Sequence, residues 1–190
     1  MNRNEEPGRE PGHPLYTIGH STHPIEEFIR LLTMHRVEIV ADVRSFPGSR
    51  RWPQFNREAL AQTLEASAID YSWMKALGGR RQGKPADSPH TAWTVAAFRS
   101  YADYADTTEF ETGLAELIAI ASVRRTAIVC SEGLWWRCHR RIISDHMTIR
   151  RWAVEHIMPD GKLSRHELAD FASIRGGRIV YDGGQPRLPQ

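Results

Sequence analysis

TAIVCSEGLWWRCHRR, residues 126–141, is the stretch that decides the fold class of this chain. Residues 126–130 form a short apolar run, which is typical of a strand buried on both faces of a parallel sheet. A turn follows, and a helix is predicted to start near Cys138 and to continue to about Arg151. A buried strand that leads through a turn into a helix is the repeating part of a parallel α/β sheet.

Strands and helices alternate on both sides of this stretch. Short β-prone runs predict further strands at residues 16–19, 37–43, 69–74, 154–157 and 178–181. Apolar spacing and capping residues predict helices that begin at Pro24, at Asn56 (to about 67), at 91 (to 106), at Thr108 with Glu111 (to about 121) and at Ser164 with Glu167. This order predicts an α/β three-layer sandwich, with a mostly parallel central sheet and helices on both faces.

Length and composition narrow the class of protein. The chain has 190 residues, 41% of them hydrophobic, and a formal net charge of +2. These values exclude a charged disordered chain, and two cysteines are too few for a disulfide scaffold. Residues 1–14 are predicted to be a flexible tail without the apolar stretch of a signal peptide, and residues 15–190 a single domain. We therefore expect a soluble, cytoplasmic protein with no membrane partner.

Polar side chains follow three of the predicted strands. The carboxyl ends of parallel strands meet at one edge of a sheet, where ligands bind, so these side chains predict one shared site. The candidate catalytic residues are His20, Asp42, Glu132 and His139. The candidate substrate-binding residues are Ser21, Arg44, Arg50, Trp52, Trp135, Cys138 and Arg140.

The carboxylates and imidazoles suit acid–base catalysis. Glu132 or Asp42 would activate water, and His20 or His139 would move a proton. The alternative is that Asp42–Arg44 or Glu132–Arg140 is an ion pair that only orients the loops.

The predicted helix start at Cys138 suits an anion. Free backbone N–H groups and the Arg140 guanidinium would hold a phosphate or carboxylate there, together with Arg44. The same surroundings would lower the pKa of the Cys138 thiol. The alternatives are a solvated Arg140 and small buried hydrophobic roles for Cys138 and Cys130. Seven residues separate the two cysteines, which is not usual zinc spacing, so no metal and no cofactor are expected.

Arginines alternate with aromatic residues after the second strand, and this pattern suits a flexible or single-stranded nucleic acid. Arg50 and Trp52 belong to this segment, and Arg80, Arg81 and Lys84 would extend its surface. Trp52 or Trp135 would stack on a ring of the ligand. The alternative is that the aromatic rings pack into the core while the arginines face water.

The chain resembles the bacterial and archaeal family known as domain of unknown function 488, over about residues 15–158. The residues that carry the resemblance are Gly19-His20-Ser21-Thr22, Asp42-Val43-Arg44 with Pro47 and Ser49, Leu77-Gly78-Gly79, Phe98, Tyr101-Ala102, Tyr104, Phe110, Gly113-Leu114, Cys130-x-Glu132, Cys138-His139-Arg140 and His156-Ile157. The resemblance implies a compact α/β fold and brings no activity with it. Residues 160–190 lie outside the shared pattern.

Three functions are consistent with these residues. The first is hydrolysis of a phosphate-bearing substrate, a nucleotide or nucleic acid, by Glu132 or Asp42. The second is cysteine-dependent thiol or sulfur-transfer chemistry at Cys138 or Cys130. The third is non-catalytic nucleic-acid binding, for which Arg44 and Arg140 would matter and Glu132 would not.

Overall fold

One six-stranded sheet forms the centre of the computed structural model, which describes residues 12–81 and 87–184. Its strands are β1 (Leu15–Gly19), β2 (Ile39–Asp42), β3 (Asp70–Trp73), β4 (Thr126–Cys130), β5 (Val154–Ile157) and β6 (Leu163–Arg165). They lie in the order β3-β2-β4-β1-β5-β6, and every neighbouring pair is parallel except β5 and β6. All residues of β1, β2 and β4 are buried, as expected of strands covered on both faces.

Five helices cover the two faces of the sheet. Helices α1 (Ile25–Met34) and α2 (Arg57–Glu65) share one apolar cluster with Ile18, Val40 and Val129 of the strands. Helices α3 (Ala96–Tyr104), α4 (Thr108–Ala121) and α5 (Arg140–Ile149) pack in a second cluster on the opposite face. The predicted α/β class with helices on both faces of a mostly parallel sheet is therefore confirmed.

The C-terminal segment differs from the prediction, because residues 164–175 contain no helix. Ser164 lies in β6, and residues 172–181 form an antiparallel hairpin of β7 (Ala172–Arg175) and β8 (Arg178–Tyr181). Gly176 and Gly177 make its two-residue turn with φ values of 56° and 79°. A Gly-Gly pair permits these angles, which most side chains disfavour, and it outweighs the Ser164–Glu167 capping signal.

Three helix starts also differ in detail. Helix α3 begins at residue 96 rather than 91, after Val95 in an extended conformation. The cap of α4 is Thr107, whose side chain accepts a hydrogen bond from the Phe110 N–H, so the predicted Thr108–Glu111 capping box is not formed. Asn56 does precede α2, but its side-chain oxygen accepts from the Ser49 N–H at 2.5 Å rather than from the helix.

The carboxyl ends of β1 and β4 form a topological switch point. The two strands are neighbours, yet α1 follows β1 on one face and α5 follows β4 on the other. Connections that leave a parallel sheet in opposite directions open a crevice between them, which is where ligands of such sheets bind. In the described parts of the chain, every helix is too short or too polar to cross a membrane. The predicted tail residues 1–11 and Lys84 lie outside the described residues.

Candidate thiol and imidazole site

Two cavities open at the switch point. The larger, of about 520 Å³, is lined by residues of the loops after β1, β2, β3 and β4: His20, Arg44, Ser45, Phe46, Gly48, Ser49, Trp52, Gly79, Arg80, Cys130, Ser131 and His139. The smaller, of about 200 Å³, is lined by Gly79, Ala97, Phe98, Tyr101, Cys130, Glu132, Arg137, Cys138 and His139. Cys130, His139 and Gly79 line both cavities and form the wall that the cavities share.

Two thiols and one imidazole converge at this wall. Nδ1 of His139 lies 3.6 Å from Sγ of Cys138 and 3.9 Å from Sγ of Cys130. Both cysteines are free and buried. Nε2 of His139 lies 2.9 Å from the carbonyl oxygen of Val43. A carbonyl oxygen only accepts, so Nε2 carries the hydrogen and, in a neutral ring, Nδ1 presents its lone pair to both thiols.

Gly79 makes the position of this imidazole possible. A Cβ atom at residue 79 would lie 2.6 Å from Cγ of the His139 ring, closer than real carbon atoms approach. The sequence identifies Gly79 only as part of a turn, whereas in the structure it leaves space for a functional side chain.

Arg140 lies under the thiols and is only 1% exposed. Its Nε donates to Sγ of Cys138 at 3.4 Å, its Nη1 to Thr17 at 3.4 Å and its Nη2 to the backbone carbonyl of Glu132. No acidic side chain that the structure describes forms an ion pair with it. The predicted two-pronged anion contact of Arg140 is therefore not present, nor is an ion pair with the Glu132 carboxylate, because the guanidinium is directed inward.

The charge of Arg140 affects the thiols unequally. Burial raises the pKa of Cys138, but the hydrogen bond from Cys130 and the charge of Arg140 outweigh burial and lower this pKa below its ordinary value. The hydrogen bond to Cys138 and burial raise the pKa of Cys130. The lowered pKa at Cys138 agrees with the sequence-based expectation. Its causes are the neighbouring side chains together with a hydrogen bond from the backbone N–H of Arg140, the first residue of α5.

Asp42 and Arg44 form a buried ion pair. The Asp42 carboxylate accepts from Nε of Arg44 at 2.8 Å, from its Nη2 at 2.5 Å and from the Tyr71 hydroxyl at 2.7 Å. The Arg44 Nη1 donates to the carbonyl of Phe55 at 2.8 Å. Both side chains are used in supporting the loop after β2, which matches the structural alternative for this pair.

His20 contacts this ion pair from the larger cavity. Its Nδ1 donates to the Ser21 carbonyl at 3.1 Å, its Nε2 lies 3.4 Å from Nη1 of Arg44, and its ring stacks on Phe55. Burial, reinforced by the charge of Arg44, lowers the pKa of His20 to about 4. The ring is therefore neutral at pH 7, and its lone pair faces a guanidinium.

The other predicted site residues are separated from one another. Trp52 lines the larger cavity, and Arg51 lies over its ring. Glu132 is exposed at the edge of the smaller cavity, with its carboxylate accepting from the Leu134 N–H at 3.3 Å. Ser21 and Arg50 line neither cavity, and Trp135 is occupied within the protein, stacked on His156 with ring centroids 4.0 Å apart.

A chain of buried hydrogen bonds continues from Arg140 to the far side of α5. Thr17 lies 2.7 Å from Nδ1 of His156, whose Nε2 lies 3.0 Å from Nδ1 of His166. Nε2 of His166 donates to Asp145 at 2.9 Å, and Tyr181 donates to the second oxygen of that carboxylate at 2.8 Å. Burial, reinforced by the neighbouring His166 imidazole and by the charge of Arg140, lowers the pKa of His156 to about 2. Residues from four elements thus hold the guanidinium below Cys138.

Three residues of the site were missed or undervalued from the sequence. Cys130 was expected to be a small buried hydrophobic residue, but it lies within the thiol and imidazole cluster. Ser45 and Arg80 line the larger cavity, and the Ser45 hydroxyl accepts from the Arg80 N–H at 2.8 Å. The signal for Ser45 was only its position after a predicted strand, which many residues share, whereas Arg80 was included in the arginine-rich surface predicted to bind nucleic acid.

Fold and site together define a doubly wound α/β protein with a cysteine–histidine cluster at the carboxyl edge of its sheet. Residues 24–147, about two thirds of the chain, match the family model described as Domain of unknown function DUF488. The chain belongs to this family, as the sequence motifs indicated. Comparison with curated proteins and with solved structures finds no match.

Proposed function

We propose that this chain is a cysteine-dependent thiol or sulfur-transfer enzyme with Cys138 as its nucleophile. The observation that carries the proposal is the position of the Cys138 thiol between two groups: Nε of Arg140 at 3.4 Å and Nδ1 of His139 at 3.6 Å. Such surroundings activate a cysteine, because a guanidinium stabilises the thiolate and an imidazole lone pair accepts the proton.

The charge around Arg140 supports the same conclusion. A buried guanidinium is costly without a negative partner, and its hydrogen bonds here go to neutral oxygens and to Cys138. A thiolate at Cys138 would supply that partner in direct contact. Cys130 then serves as the second thiol, within 4.8 Å of the first.

The larger cavity favours an anionic substrate. Of the described residues that line it, none is acidic, whereas two are arginines and three are serines. Cys138 itself lines only the smaller cavity, so its thiolate would attack a sulfur atom of an anionic donor that reaches past the wall shared by the two cavities. A new S–S bond forms at Cys138, the donor's own bond to that sulfur breaks, and the bonding electrons leave with the rest of the donor. The proton of the resting thiol remains on His139.

Hydrolysis of a phosphate-bearing substrate is the second candidate, and the arginines and serines of the larger cavity favour it. It needs a carboxylate that can activate water. Both oxygens of Asp42 are occupied by Arg44 and Tyr71, so the role would fall to Glu132 at the smaller cavity. Non-catalytic nucleic-acid binding stays a prediction. The structure does not favour it, because the Arg140 guanidinium that would contact the nucleic acid is buried and directed inward.

Thiosulfate, an anionic sulfur donor, provides the test. Incubation of the reduced full-length chain should add one sulfur atom to Cys138, located by mass spectrometry of its peptides, and should release sulfite. Cys138→Ser should abolish the adduct. Cys130→Ser should let it accumulate, because the second thiol can no longer attack the persulfide to form a disulfide and release hydrosulfide.

The proposal is refuted if Cys138 takes up no sulfur and reacts with iodoacetamide no faster than a free thiol. Loss of phosphoesterase activity in Glu132→Gln, with Cys138→Ser active, would favour hydrolysis.

A further inference from the structure

The cluster of Cys130, Cys138 and His139 has the composition of a metal site. Its three potential ligand atoms lie within 4.8 Å of one another, and no other such group occurs among residues 12–81 and 87–184. Thiolate sulfur and imidazole nitrogen are the donors that Zn²⁺ and related thiophilic ions prefer.

The spacing of the three atoms is close to that of a tetrahedral site. With Zn–S bonds of about 2.3 Å and Zn–N bonds of about 2.0–2.1 Å, the N···S edge of a tetrahedron is roughly 3.6 Å. The two N···S distances here are 3.6 and 3.9 Å. The S···S edge of such a tetrahedron is about 3.8 Å, and the two sulfurs lie within 4.8 Å of each other, so an ion at the centre would require a thiol to move by at most about 1 Å.

The imidazole is oriented as a ligand. Metal-binding histidines donate their second ring N–H to a carbonyl or carboxylate, which fixes the tautomer and the direction of the lone pair. Nε2 of His139 makes this bond to Val43, and Gly79 leaves space for the ring. The bond is already formed between residues 96 positions apart in sequence. The imidazole therefore needs no reorientation to bind an ion.

The surrounding charges tolerate a divalent ion. Two thiolates neutralise the charge of Zn²⁺, and the bond from Nε of Arg140 to Cys138 would remain as a charge-assisted bond to a coordinated thiolate. Three protein ligands leave a fourth tetrahedral position, and all three residues line the smaller cavity. An open fourth position is the arrangement of a metal that binds an exogenous ligand or water.

We propose that Cys130, Cys138 and His139 bind one thiophilic divalent metal ion, with Zn²⁺ as the physiological candidate and the fourth position open to the cavity. The site goes beyond the proposed function and regulates it: when the ion is bound, both thiols are ligands and Cys138 is no longer a free nucleophile. This departs from the expectation of no metal, which rested on the seven residues between the cysteines along the chain.

Titration of the reduced, full-length chain with Co²⁺ tests the site without any assay of activity. We expect one equivalent to bind, with sulfur-to-cobalt charge-transfer absorption and the visible bands of a tetrahedral ion, and Zn²⁺ to displace it. Cys130→Ser, Cys138→Ser and His139→Asn should each lose binding at the Co²⁺ concentration that saturates the wild type. His23→Asn, a partly exposed histidine outside the cluster, should bind as the wild type does.

A second measurement does not depend on the folding of the variants. Zn²⁺ should protect both thiols of the wild-type chain from iodoacetamide, as located by peptide mass spectrometry, and a chelator should reverse the protection. Absence of charge-transfer absorption and of protection would overturn the metal site. Sulfur uptake by Cys138 in the same metal-free sample would then leave the proposed function standing. Unchanged Co²⁺ binding by His139→Asn would overturn the assignment of the three ligands.

Discussion

Replacement of Gly79 by alanine tests how closely the site depends on the position of one imidazole. The added methyl group would lie 2.6 Å from Cγ of His139, whereas ordinary carbon contacts lie at about 3.5–4.0 Å. The ring must therefore move by roughly 1 Å. The ring is held on two sides. On one side Nε2 donates to the carbonyl oxygen of Val43 at 2.9 Å, and on the other the Tyr101 ring packs against it with ring centroids 5.0 Å apart.

The energetic cost follows from those two restraints. A displacement of roughly 1 Å breaks the bond to Val43, worth about 0.5–1.5 kcal/mol, and the overpacked contact adds about 1–3 kcal/mol. We expect Gly79→Ala to lower the free energy of unfolding by about 1.5–4.5 kcal/mol. Gly48→Ala is the matched control in the same cavity. Its Cβ would have one neighbour, 4.0 Å away, so its stability should change by less than about 1 kcal/mol.

Urea denaturation measures both free energies, and iodoacetamide reactivity of the thiols reports on the site. In Gly79→Ala the imidazole is displaced from its present position beside the two sulfurs, so Cys138 should react more slowly than in the wild type, while Gly48→Ala should match the wild type. If Gly79→Ala unfolds at the wild-type urea concentration and keeps the wild-type reactivity, His139 is not held as described. The reasoning that derives both proposals from this imidazole would then be wrong.

Three further predictions follow from buried groups of the same sheet edge. Asp42→Asn breaks the buried ion pair with Arg44 and should lower the free energy of unfolding, measured by urea denaturation, by about 3–5 kcal/mol. Tyr71→Phe removes only one hydrogen bond to Asp42 and should lower it by about 1 kcal/mol. Equal small decreases in the two variants would show that the pair is not buried as described. Gly19→Ala would place its Cβ 2.7 Å from a backbone carbon of the loop after β4, which cannot rotate away. The free energy of unfolding should therefore decrease by more than about 3 kcal/mol. A variant as stable as the wild type would contradict the close approach of these two backbone segments. Burial lowers the pKa of His20 to about 4, so below pH 6.5 the unfolded chain takes up a proton that the folded chain does not. The stability from this group is therefore present above pH 6.5 and decreases by about 2 kcal/mol between pH 7 and pH 5. His20→Gln should remove that part of the pH dependence, whereas an unchanged pH profile of stability would argue against a buried neutral ring.

Strands β1 to β5 and β8 could be predicted because each is a short β-prone run with polar or flexible residues at its ends, whereas β6 and β7 were not predicted. The observed bounds of β4 and β5 are the predicted ones, and the order of strands and helices was enough to indicate the class of fold. The hairpin at the C-terminus was not recognised. Its decisive signal is Gly176-Gly177, which stands between Ile174 on one side and Ile179-Val180 on the other. This signal lies close to a capping pattern that occurs in many sequences without a helix.

The edge of the sheet that carries the site could also be predicted, but not the grouping of its side chains. Strand ends place His20, Arg44 and Cys130 around one cavity, whereas side-chain direction takes Ser21, Arg50 and Trp135 out of it. The loop after β4 brings Cys138 back onto Cys130, and spacing along the chain contains no information on this contact. The inward direction of Arg140 depends in part on Thr17, which precedes it by 123 residues.

The segments outside the family match explain how a charged group can remain buried under the thiols. Arg140 lies within residues 24–147, but Thr17, His156, His166 and Tyr181, which continue its hydrogen bonds, lie before or after that range. When the imidazoles of His156 and His166 are neutral, one arrangement of protons gives every group in this chain a hydrogen-bond partner. Each group donates to the next one, and the last donor, His166, donates to the Asp145 carboxylate. The positive charge at Arg140 and the negative charge at Asp145 are thus linked by oriented hydrogen bonds without direct contact. Direct pairing with a carboxylate would neutralise the guanidinium, whereas this arrangement leaves its charge available to the Cys138 sulfur.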